Sequence, residues 1–204
     1  MKRIIAVIII VLLFGIVSSS CILLNNNNNF NGGDNARELL TTQNNDIDEA
    51  FVNYKTHDFE GVTLRCPENW VAAEEKKDGV YIVNFFESDD DVTAYRTTDG
   101  NLKYLMRYQV LISEAPIYSE MTPQEWTEII SSRMNPPTEI TVTEINGREL
   151  GVITYQRPDS PLIKHTMMYM HYNGREYLID SFYDITDDLL AEIINEMTHS
   201  MIFT

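Results

Sequence analysis

Two Asn-Gly pairs constrain the fold of this chain more than any other feature of its sequence. They stand in Ile145-Asn146-Gly147-Arg148 and Tyr172-Asn173-Gly174-Arg175, each between runs that alternate apolar and polar residues. Asn and Gly tolerate the positive φ angles of a type I′ turn, so each pair predicts a hairpin of two antiparallel strands. Strands are therefore predicted from Ile140 onwards and at residues 150–156, 163–172 and 176–183.

The first half of the chain also carries strand patterns. Residues 61–66 alternate with a period of two and stop at Pro67. Residues 80–86 form a second predicted strand, which is entered through Lys77-Asp78-Gly79. Residues 102–112 form a third, and because this run is apolar on both faces in places, it is expected near the centre of a sheet.

The clearest helix signal begins at Thr122. Thr122-Pro123-Gln124-Glu125 combines an N-cap hydroxyl, a proline suited to the first helical position and a Glu that can cap back. Pro136-Pro137 is expected to end this helix. Its predicted apolar face consists of Trp126, Ile129, Ile130 and Met134.

A second amphipathic helix is predicted near the end of the chain. Thr186 or Asp184 is the predicted N-cap, and residues 200–203 are expected to fold back on the core as a short segment. The apolar stripe of this helix consists of Leu189, Leu190, Ile193, Ile194 and Met197. Together these elements predict an α+β domain over residues 51–204, with a mostly antiparallel sheet and two helices around one core.

The first twenty residues have the pattern of a secretory signal peptide. Lys2 and Arg3 precede an apolar run over residues 4–17, and three serines then lead to Cys21. A cysteine in this place is where a prokaryotic lipoprotein is lipidated and cut, although Ser18 is an unusual residue for such a site. An uncleaved membrane anchor extended through residues 21–24, or full secretion, are the alternatives. All three place the rest of the chain outside the membrane.

Residues 21–50 are predicted to be a flexible tether. They include five consecutive asparagines and few residues able to build a core, so burial cannot offset the entropy lost on ordering them. The chain thus divides into a leader or anchor at residues 1–20, this tether, and the globular domain.

The charge balance excludes nucleic acid as a partner. The chain has a formal net charge of -16, and residues 1–20 contribute two basic residues and no acidic one. A strongly acidic surface repels phosphate backbones and anionic lipid headgroups, and is compatible with cations, basic partners or simple solubility.

The chain has only two cysteines, Cys21 and Cys66. If Cys21 carries lipid, Cys66 has no partner and is expected to be a small apolar residue in a strand. A bridge between the two is the alternative.

The order of these motifs resembles the PsbP-like family. The similar segments are Phe59-Glu60-Gly61-Val62, Cys66-Pro67-Glu68-Asn69-Trp70, the Thr-Pro-led helix, the two Asn-Gly-Arg turns, and a last helix that leads into His199-Ser200-Met201-Ile202-Phe203. The resemblance covers nearly all of residues 58–204, although Cys66 stands where an aromatic or aliphatic residue is usual.

The resemblance implies a Mog1/PsbP-like fold, an α/β/α sandwich, and lipoprotein forms of it are common in prokaryotes. It implies a fold rather than a chemistry, because members range from photosystem II assembly to action on a small GTPase. No photosynthetic role is carried over to this chain.

Two acidic clusters are the candidate cation sites. Ser88-Asp89-Asp90-Asp91 lacks the alternating pattern that arranges oxygens around Ca²⁺, so a solvated loop is the preferred interpretation. Asp180, Asp184, Asp187 and Asp188 crowd the start of the last helix, where helix capping explains most of them. Some plant members of the family bind Mn²⁺ or Ca²⁺, which keeps a metal role open.

The remaining candidates favour packing over chemistry. Trp70 is expected to plug the core beside the first hairpin. His165 and His171 share a strand face but lie about 20 Å apart, too far for one metal, and are expected to be exposed or half-buried. No pattern pairs a nucleophile with a base, and no cofactor motif is found.

One predicted sheet surface is rich in Tyr and Met. Most of these side chains are expected to pack in the core, but such a surface also suits protein binding. Its residues are Tyr169, Tyr172, Tyr177, Tyr183, Met167, Met168 and Met170.

Two functions follow from these observations. The preferred one is a non-catalytic binding or assembly module of the cell envelope, held at the extracytoplasmic face of the membrane and contacting another envelope protein. The alternative is an accessory domain that binds Ca²⁺ or Mn²⁺ through the acidic segments at residues 89–91 and 184–188. No catalytic, metal or cofactor residue is assigned, and Cys21 is the one modification site.

Overall fold

The computed structural model describes residues 52–98, 105–134, 138–157 and 160–204. The leader, the tether, Cys21 and Pro136-Pro137 lie outside the described residues. Residues Asn53–Thr204 form one compact unit. None of the helices in the described segments is long and apolar enough to cross a membrane.

The described part of the chain contains ten strands and three helices, and its paired strands are all antiparallel. The strands are β1 (Tyr54–Phe59), β2 (Val62–Pro67), β3 (Val71–Lys77), β4 (Val80–Phe86), β5 (Met106–Ser113), β6 (Glu139–Ile145), β7 (Arg148–Arg157), β8 (Ser160–Tyr172), β9 (Arg175–Asp184) and β10 (Ile202–Phe203). The helices are α1 (Asp89–Thr97), α2 (Pro123–Ser131) and α3 (Asp188–His199).

Seven strands form the main sheet in the order β3-β4-β5-β9-β8-β7-β6, and β1-β2-β10 form a small second sheet. The predicted central antiparallel sheet flanked by helices is therefore confirmed. The third predicted strand, now β5, lies inside the sheet between β4 and β9 as expected.

Two-residue turns with positive φ angles at both positions join four hairpins. Both predicted Asn-Gly turns are confirmed, with φ of 50° at Asn146 and 49° at Asn173. Glu60-Gly61 and Asp78-Gly79 adopt the same geometry. The strand predicted at residues 61–66 therefore begins only at Val62, because Gly61 belongs to the turn that joins it to β1, a strand that the sequence pattern did not predict.

One face of the main sheet forms the hydrophobic core with α3 and the small sheet. Tyr108 on β5 is fully buried and its hydroxyl hydrogen-bonds the Thr198 hydroxyl of α3 at 3.0 Å. Tyr177 on β9 meets Phe203 of β10 edge-on, with ring centroids 5.2 Å apart. We call this side of the sheet the core face. Trp70 and Cys66 are both buried, Cys66 on β2, which confirms both as packing residues.

The last helix begins one residue later than an N-cap at Thr186 would give, and three residues later than an N-cap at Asp184 would give. Asp187 is its N-cap, since its carboxylate accepts a hydrogen bond of 2.9 Å from the Leu190 backbone. Asp184, one of the two predicted caps, instead accepts hydrogen bonds from the Thr186 backbone and hydroxyl. Leu189 is largely exposed, so the prediction that it belongs to the apolar stripe is wrong; Leu190 is buried.

The opposite face of the main sheet carries α1 and α2, and we call it the helix face. Val92 of α1 packs with Phe86 and Met106 at the start of β5. The interpretation of residues 88–91 as a loop is wrong, because Ser88 caps α1 and accepts a hydrogen bond from the Asp91 backbone at 3.2 Å. Three consecutive acidic residues in a first helical turn favour the helix through its dipole.

Helix α2 has the predicted capping box at Thr122 and Glu125. It ends at Ser131, before the two prolines, so Met134 lies beyond the helix. Trp126 is buried as predicted, whereas Ile129 and Ile130 are only half-buried.

Candidate functional site

A row of polar side chains crosses the middle of the helix face. Asn84 pairs with Gln109, Gln109 pairs with Asp180, and His165 pairs with Tyr155 in the strand registers. Asp180 on β9 pairs with Met167 on β8. His165 lies two residues before Met167 on β8 and pairs with Phe182, two residues after Asp180 on β9. Because side chains alternate across a strand, all five project from the same side of the sheet. We call these five residues the polar row.

Direct hydrogen bonds join its members in two groups. Gln109 Nε2 donates to Asn84 Oδ1 at 2.6 Å. His165 Nε2 lies 3.3 Å from Asp180 Oδ1, and its Nδ1 bonds the Tyr155 hydroxyl. Both ring nitrogens of His165 are thus engaged, and its orientation is fixed.

Aromatic contacts hold the His165 ring in place. Its centroid lies 4.1 Å from that of Phe182, with the two planes 21° apart, and 4.6 Å from that of Tyr155. His165 is only 7% exposed. The prediction that this histidine is exposed or half-buried is therefore wrong, while His171 is exposed as predicted.

Asn84 and Asp180 are also buried. Burying a polar side chain costs free energy unless the side chain is hydrogen-bonded, whereas an apolar side chain at the same position would need no hydrogen-bond partner. Half-buried apolar side chains of the same sheet face stand beside the row: Ile82, Leu111 and Leu178. The middle of the helix face therefore combines fixed polar groups with accessible apolar ones.

Helix α2 approaches the sheet closely because β7 has a glycine beneath it. A Cβ atom on Gly151 would collide with the Pro123 carbonyl oxygen and lie 2.8 Å from Thr127 Cγ2. Only a residue without a side chain permits this approach.

A buried carboxylate secures the segment that leads into α2. Glu176 on β9 accepts hydrogen bonds from the Tyr118 backbone and from the Tyr169 hydroxyl, the latter at 3.3 Å. Burial, followed by the charge of Glu176, raises the pKa of Tyr169 far above its ordinary value. Tyr169 therefore stays a neutral donor.

The polar row can bind and orient a ligand, but its groups do not form a nucleophilic centre. The partners of His165 are a phenol and a carboxylate rather than a serine or cysteine hydroxyl or thiol. Cys66 lies on β2, in the small sheet, and burial raises the pKa of its thiol.

The acidic clusters do not converge on a cation. Across the described residues, no group of three or more His, Cys, Asp or Glu side chains is placed to hold a metal ion. Asp91 accepts a hydrogen bond from the Ser88 hydroxyl, and the Thr186 hydroxyl and backbone lower the pKa of Asp184. Helix and turn capping accounts for both carboxylates, so within the described segments no geometric observation supports the Ca²⁺ or Mn²⁺ alternative.

Other sequence candidates lie apart from the polar row or in the core. Met168, Met170 and Tyr177 are buried, and Tyr172 and Tyr183 are half-buried under Arg148 and Lys164. His57 is half-buried beside Glu74, and His199 is exposed. Sequence reasoning missed Asn84, Gln109 and Tyr155; the available signal was Asn and Gln standing inside otherwise apolar strands.

The sequence and the fold were compared with those of known proteins. No family model matches the sequence, and no curated protein matches it. The solved structure of cyanobacterial PsbP (CyanoP) from Synechocystis sp. PCC 6803 matches 77% of this chain and 96% of its own, with a TM-score of 0.50 and 13% identity. The chain has a PsbP-like fold.

Two other solved structures resemble the PsbP-like fold of this chain more weakly. One, from Bacteroides thetaiotaomicron, has a TM-score of 0.41 and 11% identity and covers 71% of this chain and 45% of its own. The other is LpqN, involved in cell envelope biogenesis of Mycobacterium tuberculosis, with a TM-score of 0.33, 10% identity, and coverage of 75% and 91%.

Proposed function

We propose that this PsbP-like domain is a non-catalytic binding or assembly module of the cell envelope, and that its partner docks over the polar row and contacts it at Gln109, the half-buried member of the row. The observation that carries this proposal is the row itself, hydrogen-bonded polar side chains across the middle of one sheet face. Few precisely held polar groups among apolar ones are typical of binding surfaces.

Binding is favoured over catalysis because the row is already paired internally. His165 uses both ring nitrogens within the protein, so it is rigid and has no free nitrogen to take a proton from a substrate. A rigid surface loses little conformational entropy when a partner docks.

We also propose that the domain is held at the extracytoplasmic face of the membrane through Cys21 and the tether at residues 21–50. The support is the sequence pattern of residues 1–21. Mass spectrometry of membrane-extracted protein tests this step. A diacylglycerol on residue 21, absent in a Cys21→Ser variant, supports the lipid anchor, whereas an intact leader with an unmodified cysteine contradicts it.

Site-specific photo-crosslinking in native membranes tests the binding proposal. A photoreactive residue at Leu111 reports on the neighbourhood of the row, and one at Glu192, exposed on α3, serves as the matched control. We expect one discrete protein adduct from position 111 and none from position 192. Equal adducts from both positions, or none from position 111 in folded protein, contradict the proposal.

A further inference from the structure

The main sheet ends in two strands of opposite character. β3, at one edge, carries four consecutive charged residues at 74–77, all exposed. Charged residues on an edge strand discourage pairing with another chain. β6, at the other edge, carries Ile140-Thr141-Val142-Thr143 at its centre, without charge and built from β-branched residues.

β6 is accessible along its outer side. Ile140 is 38% and Val142 40% exposed, and in the described part of the chain only β7 pairs with this strand. An exposed edge strand whose central four residues are uncharged and β-branched is a template for strand pairing.

The hairpin turn decides which backbone groups of β6 face outward. Asn146-Gly147 is a two-residue turn, so Ile145 and Arg148 form a hydrogen-bonded pair within the hairpin. Hydrogen-bonded pairs alternate with non-hydrogen-bonded ones along an antiparallel ladder. The backbone N–H and C=O groups of Ile140, Val142 and Glu144 therefore point away from β7.

We propose that β6 pairs antiparallel with β6 of a second copy of this chain, about a two-fold axis at Val142. In this register Val142 faces its own equivalent, Ile140 faces Glu144, Thr141 faces Thr143 and Glu139 faces Ile145. The outward groups then meet one another and form about six inter-chain hydrogen bonds. Threonines opposite one another are a favourable cross-strand pair.

The register also separates like charges. The two Glu144 side chains lie four residues apart along the ladder, about 13 Å at strand rise. This distance exceeds the screening length of about 8 Å at physiological salt. An axis at Thr143 would bring these carboxylates to about 7 Å, and an axis at Thr141 would leave Glu144 and Ile145 unpaired. Only the axis at Val142 engages all seven residues of β6.

Disulfide trapping of the full-length chain in membranes tests the register. Two differently tagged copies are co-expressed, one with Thr141→Cys and the other with Thr143→Cys, and wild-type copies give the background from Cys21 and Cys66. We expect a mixed-tag dimer at least about tenfold above that background, since a non-hydrogen-bonded pair brings Cα atoms to about 4.5 Å. Copies that both carry Glu75→Cys, on the charged β3 edge, should give only background.

A charge swap separates pairing from misfolding. Val142→Lys in both copies should abolish the mixed-tag dimer, and Val142→Lys in one copy with Val142→Glu in the other should restore it. No dimer above background, or the same yield when both copies carry Thr141→Cys, would overturn the proposal. A link from position 141 to a different protein would also overturn it, because the occupant of the edge would then be a foreign strand.

Discussion

Trp126 of α2 stacks on Tyr169 of β8, with ring centroids 4.8 Å apart and planes 10° from parallel. Tyr169 in turn donates its hydroxyl to Glu176, which also receives the Tyr118 backbone N–H. One aromatic pair thus ties α2, the segment before it and two strands together. The position of α2 on the helix face depends on this contact.

Replacing Trp126 with Ala should destabilise the domain by about 3–5 kcal/mol, since a buried aromatic ring and its stacking contact are lost. Trp126→Phe, which keeps a ring, should cost clearly less. Denaturant unfolding followed by circular dichroism measures both. Equal losses of unfolding free energy in the two variants would show that ring stacking on Tyr169 does not contribute to stability.

Replacing Gly151 with Ala should push α2 away from β7, because the new methyl group would collide with the Pro123 carbonyl. Overpacking of this kind costs about 1–3 kcal/mol. Hydrogen exchange should show lost protection in α2 while α3, on the core face, keeps its protection. Unchanged exchange in α2 would contradict the close approach seen here.

The capping box predicts a pH dependence. The Thr122 backbone N–H and the Thr122 hydroxyl donate hydrogen bonds to the Glu125 carboxylate, at 2.8 and 3.0 Å respectively. Both bonds hold the pKa of Glu125 below its ordinary value, and the backbone bond has the larger effect. A lowered folded-state pKa gives stability that is present above the unfolded pKa and is lost as pH falls through the folded one. Carbon-13 NMR titration of Thr122→Ala should show the pKa of Glu125 moving up towards its ordinary value, whereas Thr122→Ser should not change it. A pKa that stays low in Thr122→Ala would contradict a role for the hydroxyl.

Removing His165 alone should be costlier than removing it together with its partner. His165→Phe leaves the buried Asp180 carboxylate without its imidazole, an expected loss of about 1–3 kcal/mol. The double variant His165→Phe with Asp180→Leu should recover part of that loss, because both polar groups are gone. A double-mutant cycle from unfolding curves measures this coupling, and additive losses would show that the two groups do not interact.

The sequence predicted those parts of the fold that depend on local chemistry. Asn146-Gly147, Asn173-Gly174 and the Thr122 capping box are encoded in adjacent residues, and all three are confirmed. Glu60-Gly61 makes the same kind of turn without an Asn, so the turn, and with it β1, carried no comparable signal.

Tertiary contacts decided what sequence patterns could not. Three consecutive aspartates at residues 89–91 carry no apolar pattern and therefore indicate a solvated loop. In the structure Val92 packs against Phe86 and Met106, and this contact stabilises a helix there. The polar row was not predicted, because its members come from five strands and meet only through the order in which those strands pair. Single-strand periodicity contains no information on that order.

The most direct test of the polar row as a binding surface is the photo-crosslinked adduct at Leu111 in a variant with Asn84→Leu and Gln109→Met. Exchanging both partners of a hydrogen bond for apolar groups of similar size is nearly neutral for stability, within about 1 kcal/mol. We expect the variant to fold normally and to lose the adduct. A variant that folds normally and keeps the adduct at wild-type yield would contradict the proposal that the row contacts the partner.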